Sequence, residues 1–245
     1  MPESSLALSY DEIRMRVADH RGYGLDSDKW DADQRERIDF CLRDGSRTFY
    51  TQANHEWSFL EPLAQMTIAS GASELELPWD FGFITDDIYF EERWGHTIRI
   101  RSDGEVLVKR QHDSVTSARP LIAAVVPAAN PEINHGQKFK LIFWPTAASA
   151  YVVNIRYAIT PNALTPQTPF PYGGAVHAQT ILEACLAASE RVYGVPGMHN
   201  QIYAIALEQS KIHDRRLKPR TLGYNSNGPR GIRWQPRNMT PVTFS

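Results

Sequence analysis

The apolar residues of this chain change their spacing twice, and this change constrains the fold more than any other feature. From about residue 8 to 52 they recur at helical spacing, from about 56 to 160 they alternate as in strands, and from about 174 to 217 helical spacing returns. Helices and strands bury their apolar faces in separate layers of a fold. Two helical blocks that flank a block of strands therefore predict an α+β fold.

The two helical blocks differ in polarity. In the first block, Ser9 and Glu12 fit a capping box, and a second helix is predicted to begin near Asp31. In the second block, residues 176–193 carry only three formal charges: Glu183, Glu190 and Arg191. A helix with so few charges is expected to be contacted on several sides.

The central block predicts about seven short strands, of which residues 151–159 alternate most clearly. Asp103-Gly104 is a hairpin signal between the strand around Ile100 and a further strand at Val106 and Val108. We therefore expect a small β-sandwich or barrel, inserted into a helical bundle that the two ends of the chain form together.

The last block, residues 218–245, keeps no helix or strand period. It carries five basic residues and no acidic one, among several prolines and glycines and large apolar side chains such as Trp234. This composition predicts an extended tail that becomes ordered on a partner. The predicted divisions are residues 1–55 and 171–217 for the bundle, 56–170 for the β-domain and 218–245 for the tail.

Charge and composition exclude some classes of protein. With a net charge of −2, the chain has no overall field that argues for binding to nucleic acid or to a membrane surface. The longest strongly apolar run, residues 121–126, is too short to span a bilayer. The N-terminus lacks the features of a signal peptide, and the two cysteines lie at helical core spacing, so we expect synthesis in a reducing cytoplasm.

The sequence shows no recognisable catalytic or metal-binding motif, and we predict no enzyme, no metal and no cofactor. The histidines are scattered, so only a convergence of distant residues would make a zinc site. The acidic residues at 26, 28, 31 and 33 fail the EF-hand spacing and predict a solvated helix start. Two acid pairs, Asp86-Asp87 and Glu91-Glu92, suit surface positions better than general acid–base work.

The order of several short segments resembles the head-to-tail adaptor proteins of tailed bacteriophages, of the kind related in architecture to tail tubular protein A. The resemblance covers nearly the whole chain, and it depends on the order and spacing of segments rather than on one specific motif. The segments are HEWSFL at 55–60, LPWDFG at 77–82, FWP at 143–145, YGGAVHA at 172–178, ILEACLAA at 181–188 and LGYN at 222–225.

The resemblance implies a structural protein of the virion neck, made in the host cytoplasm, that forms a homo-oligomeric ring of twelve subunits under the portal protein. DNA would pass through its channel without sequence-specific binding, and a tail or nozzle protein would attach below. The tail of the chain would bind the portal through Arg220, Leu222, Tyr224, Arg230, Ile232, Arg233, Trp234, Arg237 and Phe244. From the low charge of residues 176–193, we predict a ring interface at His177, Ile181 and Leu186.

Three alternatives stay open. A β-sandwich carbohydrate-recognition component of a tail could use exposed tryptophans as stacking surfaces, with Trp57, Trp79 and Trp94 as candidates. A nucleic-acid-binding protein could use the basic tail with its interleaved aromatic residues. An enzyme could assemble its site from residues distant in the sequence.

Overall fold

The computed structural model describes residues 4–92, 97–128, 136–194 and 197–217, and it confirms the mixed α+β class. The helices of the described part are α1 (Tyr10–His20), α2 (Ala32–Tyr50), α3 (Asp103–His112), α4 (Gly174–Tyr193) and α5 (His199–Leu217). The strands are β1 (Leu63–Ile68), β2 (Glu74–Glu76), β3 (Phe81–Ile84), β4 (Ile88–Phe90), β5 (Thr97–Ile100), β6 (Ser117–Ala118), β7 (Ile122–Pro127), β8 (Phe139–Trp144), β9 (Thr146–Ala147) and β10 (Tyr151–Ile159).

The first two helices begin where the sequence predicted. Ser9 and Glu12 form both hydrogen bonds of the capping box at the start of α1. Asp31 and Gln34 form the equivalent box at the start of α2, so part of the acidic cluster caps a helix. Two glycines with positive φ, Gly22 and Gly24, follow the end of α1 and turn the chain toward α2.

Eight strands form one nearly closed, barrel-like sheet. Their order is β1-β10-β4-β5-β7-β8-β2, and β3 also pairs with β10. The long strand β10 is the centre of this arrangement, because Val153 is paired with Met66 of β1 on one side and with Phe90 of β4 on the other. Its alternation was the clearest strand signal in the sequence, and the prediction of a strand at 151–159 is confirmed.

The predicted hairpin at Asp103-Gly104 is wrong, because these residues begin helix α3. Ser102 is the N-cap and its hydroxyl accepts a hydrogen bond from the backbone amide of Glu105. The next strand after β5 in the sheet is β7, which runs parallel to it, and a parallel pair needs a crossover such as α3 rather than a tight turn. Val106 is fully buried where α3 packs on β7 and β8.

Helix α4 lies between α2 and α5, and α1 packs against both α2 and α4. One continuous cluster of buried apolar side chains includes residues of these helices and of the sheet, for example Phe49, Ile155 and Ile181. Helices from both ends of the described chain therefore share a core with the strands between them. The proposed boundaries of the four divisions stay a prediction.

Candidate functional site

Helix α4 is enclosed by its own subunit. His177, Ile181 and Leu186 are 2%, 0% and 7% exposed, respectively. The prediction that this helix is contacted on several sides is confirmed, but the assignment of these three residues to a ring interface is corrected. Helices α2 and α5 of the same chain cover the apolar surface of α4, so these side chains are not available to a neighbouring subunit.

A buried carboxylate, Asp214 of α5, joins the helices to the segment that enters the sheet. Its side chain is 0% exposed, and its Oδ2 lies 2.9 Å from Nε2 of His55. The backbone amide of Ser58 donates to Oδ1 at 3.0 Å, and the Ser58 hydroxyl donates to the same oxygen. Because a buried carboxylate is costly unless it is paired and hydrogen-bonded, these three donors explain how it is tolerated.

Aspartate, histidine and serine are the residue types of a hydrolase triad, but their order in space is different here. In a triad the serine hydroxyl donates to the histidine, which in turn is oriented by the aspartate. Here both His55 and Ser58 contact the carboxylate of Asp214. The arrangement positions α5 on the 3₁₀ turn at Ser58–Leu60, and this pairing does not activate the hydroxyl as a nucleophile.

Aromatic rings surround this polar group. The rings of Phe49, Phe59 and His177 lie 4.5, 5.3 and 5.4 Å from that of Trp57, measured between centroids. Trp57 is 2% exposed and its indole N–H donates to the carbonyl of Phe49, so the expectation that it is exposed is wrong. Burial lowers the pKa of His177, while the carboxylate of Asp214 opposes that shift.

A cavity of about 390 Å³ lies between the end of α2 and strand β3. Its lining is largely apolar, with Tyr50, Trp57, Phe83 and Ile159 among the contributors, and His55 reaches it as well. Apolar cavities with a few polar groups are the usual form of a ligand site. The imidazole of His55 is committed to Asp214, so the cavity suits an apolar group better than acid–base chemistry.

Helix α5 and the residue that precedes it leave several apolar side chains exposed to solvent. Met198, Ile202, Ile205 and Ile212 are 71%, 39%, 64% and 50% exposed, respectively. Their spacing places them within about 80° of one another around the helix axis. We call these four residues the α5 face. Exposed apolar side chains on one side of a helix are typical of a contact with another protein.

The structure brings together two histidines that are far apart in the sequence. His20 at the end of α1 and His199 at the start of α5 lie beside Glu190, with ligand atoms of the three residues within 4.8 Å of one another. The sequence predicts that only a convergence of distant residues would make a metal site, and these three residues converge in that way. The spacing of these residues along the chain gave no signal for it.

The cysteines and the acid pairs, which were also considered as catalytic candidates, are buried or hydrogen-bonded within the fold. Cys41 and Cys185 are free and buried, as predicted, and burial raises the pKa of Cys185 to about 12, which opposes a reactive thiolate. The acid pairs are engaged separately: Asp87 accepts from the amide of Ile100, and Glu91 accepts from Gln65.

The remaining predicted recognition residues lie on the sheet or beyond the described ranges. Trp79 is half-exposed, but the ammonium group of Lys138 lies 3.9 Å from its ring centroid and covers one face of a potential sugar platform. Trp94 lies outside the described residues. So do all nine predicted portal-binding residues: Arg220, Leu222, Tyr224, Arg230, Ile232, Arg233, Trp234, Arg237 and Phe244.

Comparison with protein-family models and with curated proteins finds no match to this sequence. Every helix within the described ranges is too short or too polar to cross a membrane.

Proposed function

We propose that this chain is a head-to-tail adaptor of a tailed bacteriophage and works by binding rather than by catalysis. Twelve copies form a ring at the neck of the virion, between the portal protein and a tail or nozzle protein. The ring continues the DNA channel. In this proposal α1, α2, α4 and α5 act as one helical bundle, and residues 218–245 form an extended tail that binds the portal.

The α5 face is the observation that carries the proposal. It offers an apolar stripe to solvent on the last described helix, which ends at Leu217, where the predicted tail begins. The adaptor architecture needs two kinds of contact, one between subunits and one with the portal. We assign the first to the α5 face, with a second copy of this chain as its partner, and the second to residues 218–245.

The buried pairing at Asp214 supports this division of roles. Three donors hold the carboxylate, so the C-terminal half of α5 is fixed to the turn before β1. A fixed helix gives every copy the same exit direction for its tail. A ring closes only when each heterologous contact repeats the same rotation, and a rigid contact surface meets that requirement.

Ring formation would also strengthen portal binding. When several tails bind one portal ring, each contact after the first is intramolecular, so the overall affinity exceeds that of one tail by orders of magnitude. We expect Tyr224, Trp234 and Phe244 to be the anchors, because large aromatic side chains dominate interface energetics. Arg220, Arg233 and Arg237 would add charge-assisted hydrogen bonds.

The test is co-purification with the portal protein encoded by the same phage genome. A chain truncated after Lys218 should remain folded and lose attachment to the portal. A Trp234→Ala variant should weaken attachment more than Trp234→Phe, which keeps an aromatic anchor. Undiminished attachment of the truncated chain would contradict the proposed role of the tail, and failure of the full-length chain to bind would contradict the adaptor function.

A further inference from the structure

The junction of three helices gathers side chains that are suited to a transition metal. His20 closes α1, Glu190 lies in the last turn of α4, and His199 is the first residue of α5. One ligand atom from each lies within 4.8 Å of the others. Two imidazoles and one carboxylate form a ligand set that zinc takes with three protein groups and an open fourth position.

The surroundings of His199 match those of a metal-bound histidine. Its Nδ1 lies 2.7 Å from Oε2 of Glu183, a carboxylate that is only 7% exposed. Glu183 in turn accepts a hydrogen bond of 2.9 Å from the side-chain amide of Gln179. Histidines that bind metals commonly donate their second ring N–H to a carboxylate, which fixes the ring and makes the other nitrogen a better ligand. This leaves Nε2 of His199 for the metal.

The carboxylate of Glu190 is also held in place. It is 6% exposed, and its two oxygens accept the backbone amides of His199 at 3.2 Å and Asn200 at 3.3 Å. Gly197 packs against it so closely that a side chain at that position would overlap the carboxylate. These amide contacts cap α5, but each carboxylate oxygen keeps a further lone pair that can accept a metal.

We propose that His20, Glu190 and His199 bind one zinc-class divalent ion, with Glu183 orienting His199 and water in the fourth position. Ligands bound at about 2.1 Å in a tetrahedron lie about 3.4 Å apart. A small rotation of His20, whose side chain is exposed, can close the remaining gap and also gives the ion a path of entry. The ion would tie the end of α1 to the α4–α5 connection. This proposal does not depend on the adaptor function.

Isothermal titration calorimetry on the full-length protein, reduced and stripped of metal, tests the site with Zn²⁺ alone. We expect one ion per chain and a Zn²⁺-dependent rise in melting temperature, because a ligand that binds only the folded state stabilises it. His20→Gln and His199→Gln should each weaken binding by at least about tenfold, since even second-shell losses have effects of that size. His112→Gln, at the exposed end of α3, is the matched control and should bind as the wild type does.

Two results would overturn the site. The first is a calorimetric titration in which the wild-type chain does not bind Zn²⁺, or in which His20→Gln and His199→Gln both bind it as tightly as the wild type does. His20→Gln is decisive here because an exposed side chain can be replaced without disturbing the core. The second is a thiolate-to-metal charge-transfer band in the Co²⁺-loaded protein, which would assign binding to Cys41 or Cys185 instead. A Co²⁺ spectrum without that band, lost in His20→Gln, would support the nitrogen and oxygen ligand set.

Discussion

Gly45 of α2 lies directly against the backbone of Cys185 in α4. A Cβ atom at position 45 would stand 2.5 Å from the Cα of Cys185 and 2.6 Å from its backbone nitrogen. The two helices therefore approach as closely as they do because residue 45 has no side chain. Such contact is available only to glycine, and the atoms opposite belong to backbone that cannot rotate away.

Gly45→Ala should destabilise the protein, even though alanine favours the helix by about 1 kcal/mol over glycine. The added methyl group has to push α2 and α4 apart, and overpacking of this kind costs about 1–3 kcal/mol. Gly104→Ala in α3 is the control, since a Cβ there meets nothing within 4 Å. Urea denaturation should give a lower midpoint for Gly45→Ala and an unchanged or higher one for Gly104→Ala. A midpoint that rises in both variants would contradict the close approach.

Asp214→Asn should lower the free energy of unfolding by about 1–3 kcal/mol, because a buried hydrogen-bonding group left without its partner typically has a cost of that size. The amide nitrogen of asparagine cannot accept a hydrogen bond, so the variant loses either the bond from His55 at Oδ2 or the bonds from Ser58 at Oδ1. The control is Asp44→Asn, which removes a surface pair with Arg191 and should cost no more than about 1 kcal/mol. Equal losses in the two variants would rule out a special role for the buried carboxylate.

Leu186→Asp should prevent the isolated subunit from folding, because an unpaired carboxylate in an apolar interior is costly. Val176→Asp on the same helix should be tolerated, since Val176 is 63% exposed. Circular dichroism and gel filtration of the two purified variants separate these outcomes. A folded Leu186→Asp subunit that fails only in assembly would restore the ring-interface assignment that burial argues against.

Ile205→Glu should leave the subunit folded and block the proposed ring formation, because a charge in the centre of the α5 face would oppose the proposed burial of that face against a second copy. Leu107→Glu is the matched control, because Leu107 is 47% exposed and lies on a different helix, α3. Ring formation can be followed by negative-stain imaging of each variant expressed with the portal. Normal rings from Ile205→Glu would remove the α5 face from the subunit contact.

Stability should fall as the pH drops below about 6.5, the ordinary pKa of histidine. Burial lowers the pKa of His177 in the folded state, so the unfolded chain takes up more protons on acidification. The loss begins near the unfolded pKa and continues until the pH reaches the lowered folded value. In His177→Phe, urea midpoints at about pH 7.5 and 5.5 should lie closer together than in the wild type. An unchanged difference would mean that other groups govern the pH dependence.

The sequence predicted correctly those helices and strands that carry a strong local signal, such as a capping box or a strict alternation of apolar residues. The capping residues Ser9 and Asp31 set the starts of α1 and α2, and strict alternation identified β10. The hairpin predicted at Asp103 is wrong for a local reason: Asp-Gly is common in hairpins, but Ser102 and Glu105 form an equally local signal for the start of a helix. The parallel pairing of β5 with β7 could not be predicted, because it depends on tertiary contacts rather than on any short segment of the sequence.

The polar sites could not be predicted in the same way. Asp214 stands in a basic stretch of sequence and looks like a surface residue, yet folding places it beside His55, 159 residues earlier in the chain. His20, Glu190 and His199 likewise converge from three helices. The positions of these side chains depend on how the helices pack against one another. The spacing of residues along the chain carries no information about that packing.

The pairing of α2 with α4 also fixes the order of events during synthesis. The thiol of Cys185 contacts the carbonyl of Leu42, and 143 residues separate the two. At about 5–20 residues per second, a ribosome needs roughly 7–30 s to deliver the second helix after the first. The surface of α2 that α4 covers therefore stays uncovered until Cys185, about three-quarters of the way along the sequence, has been synthesised. A chaperone that binds exposed apolar surface would protect α2 during this interval.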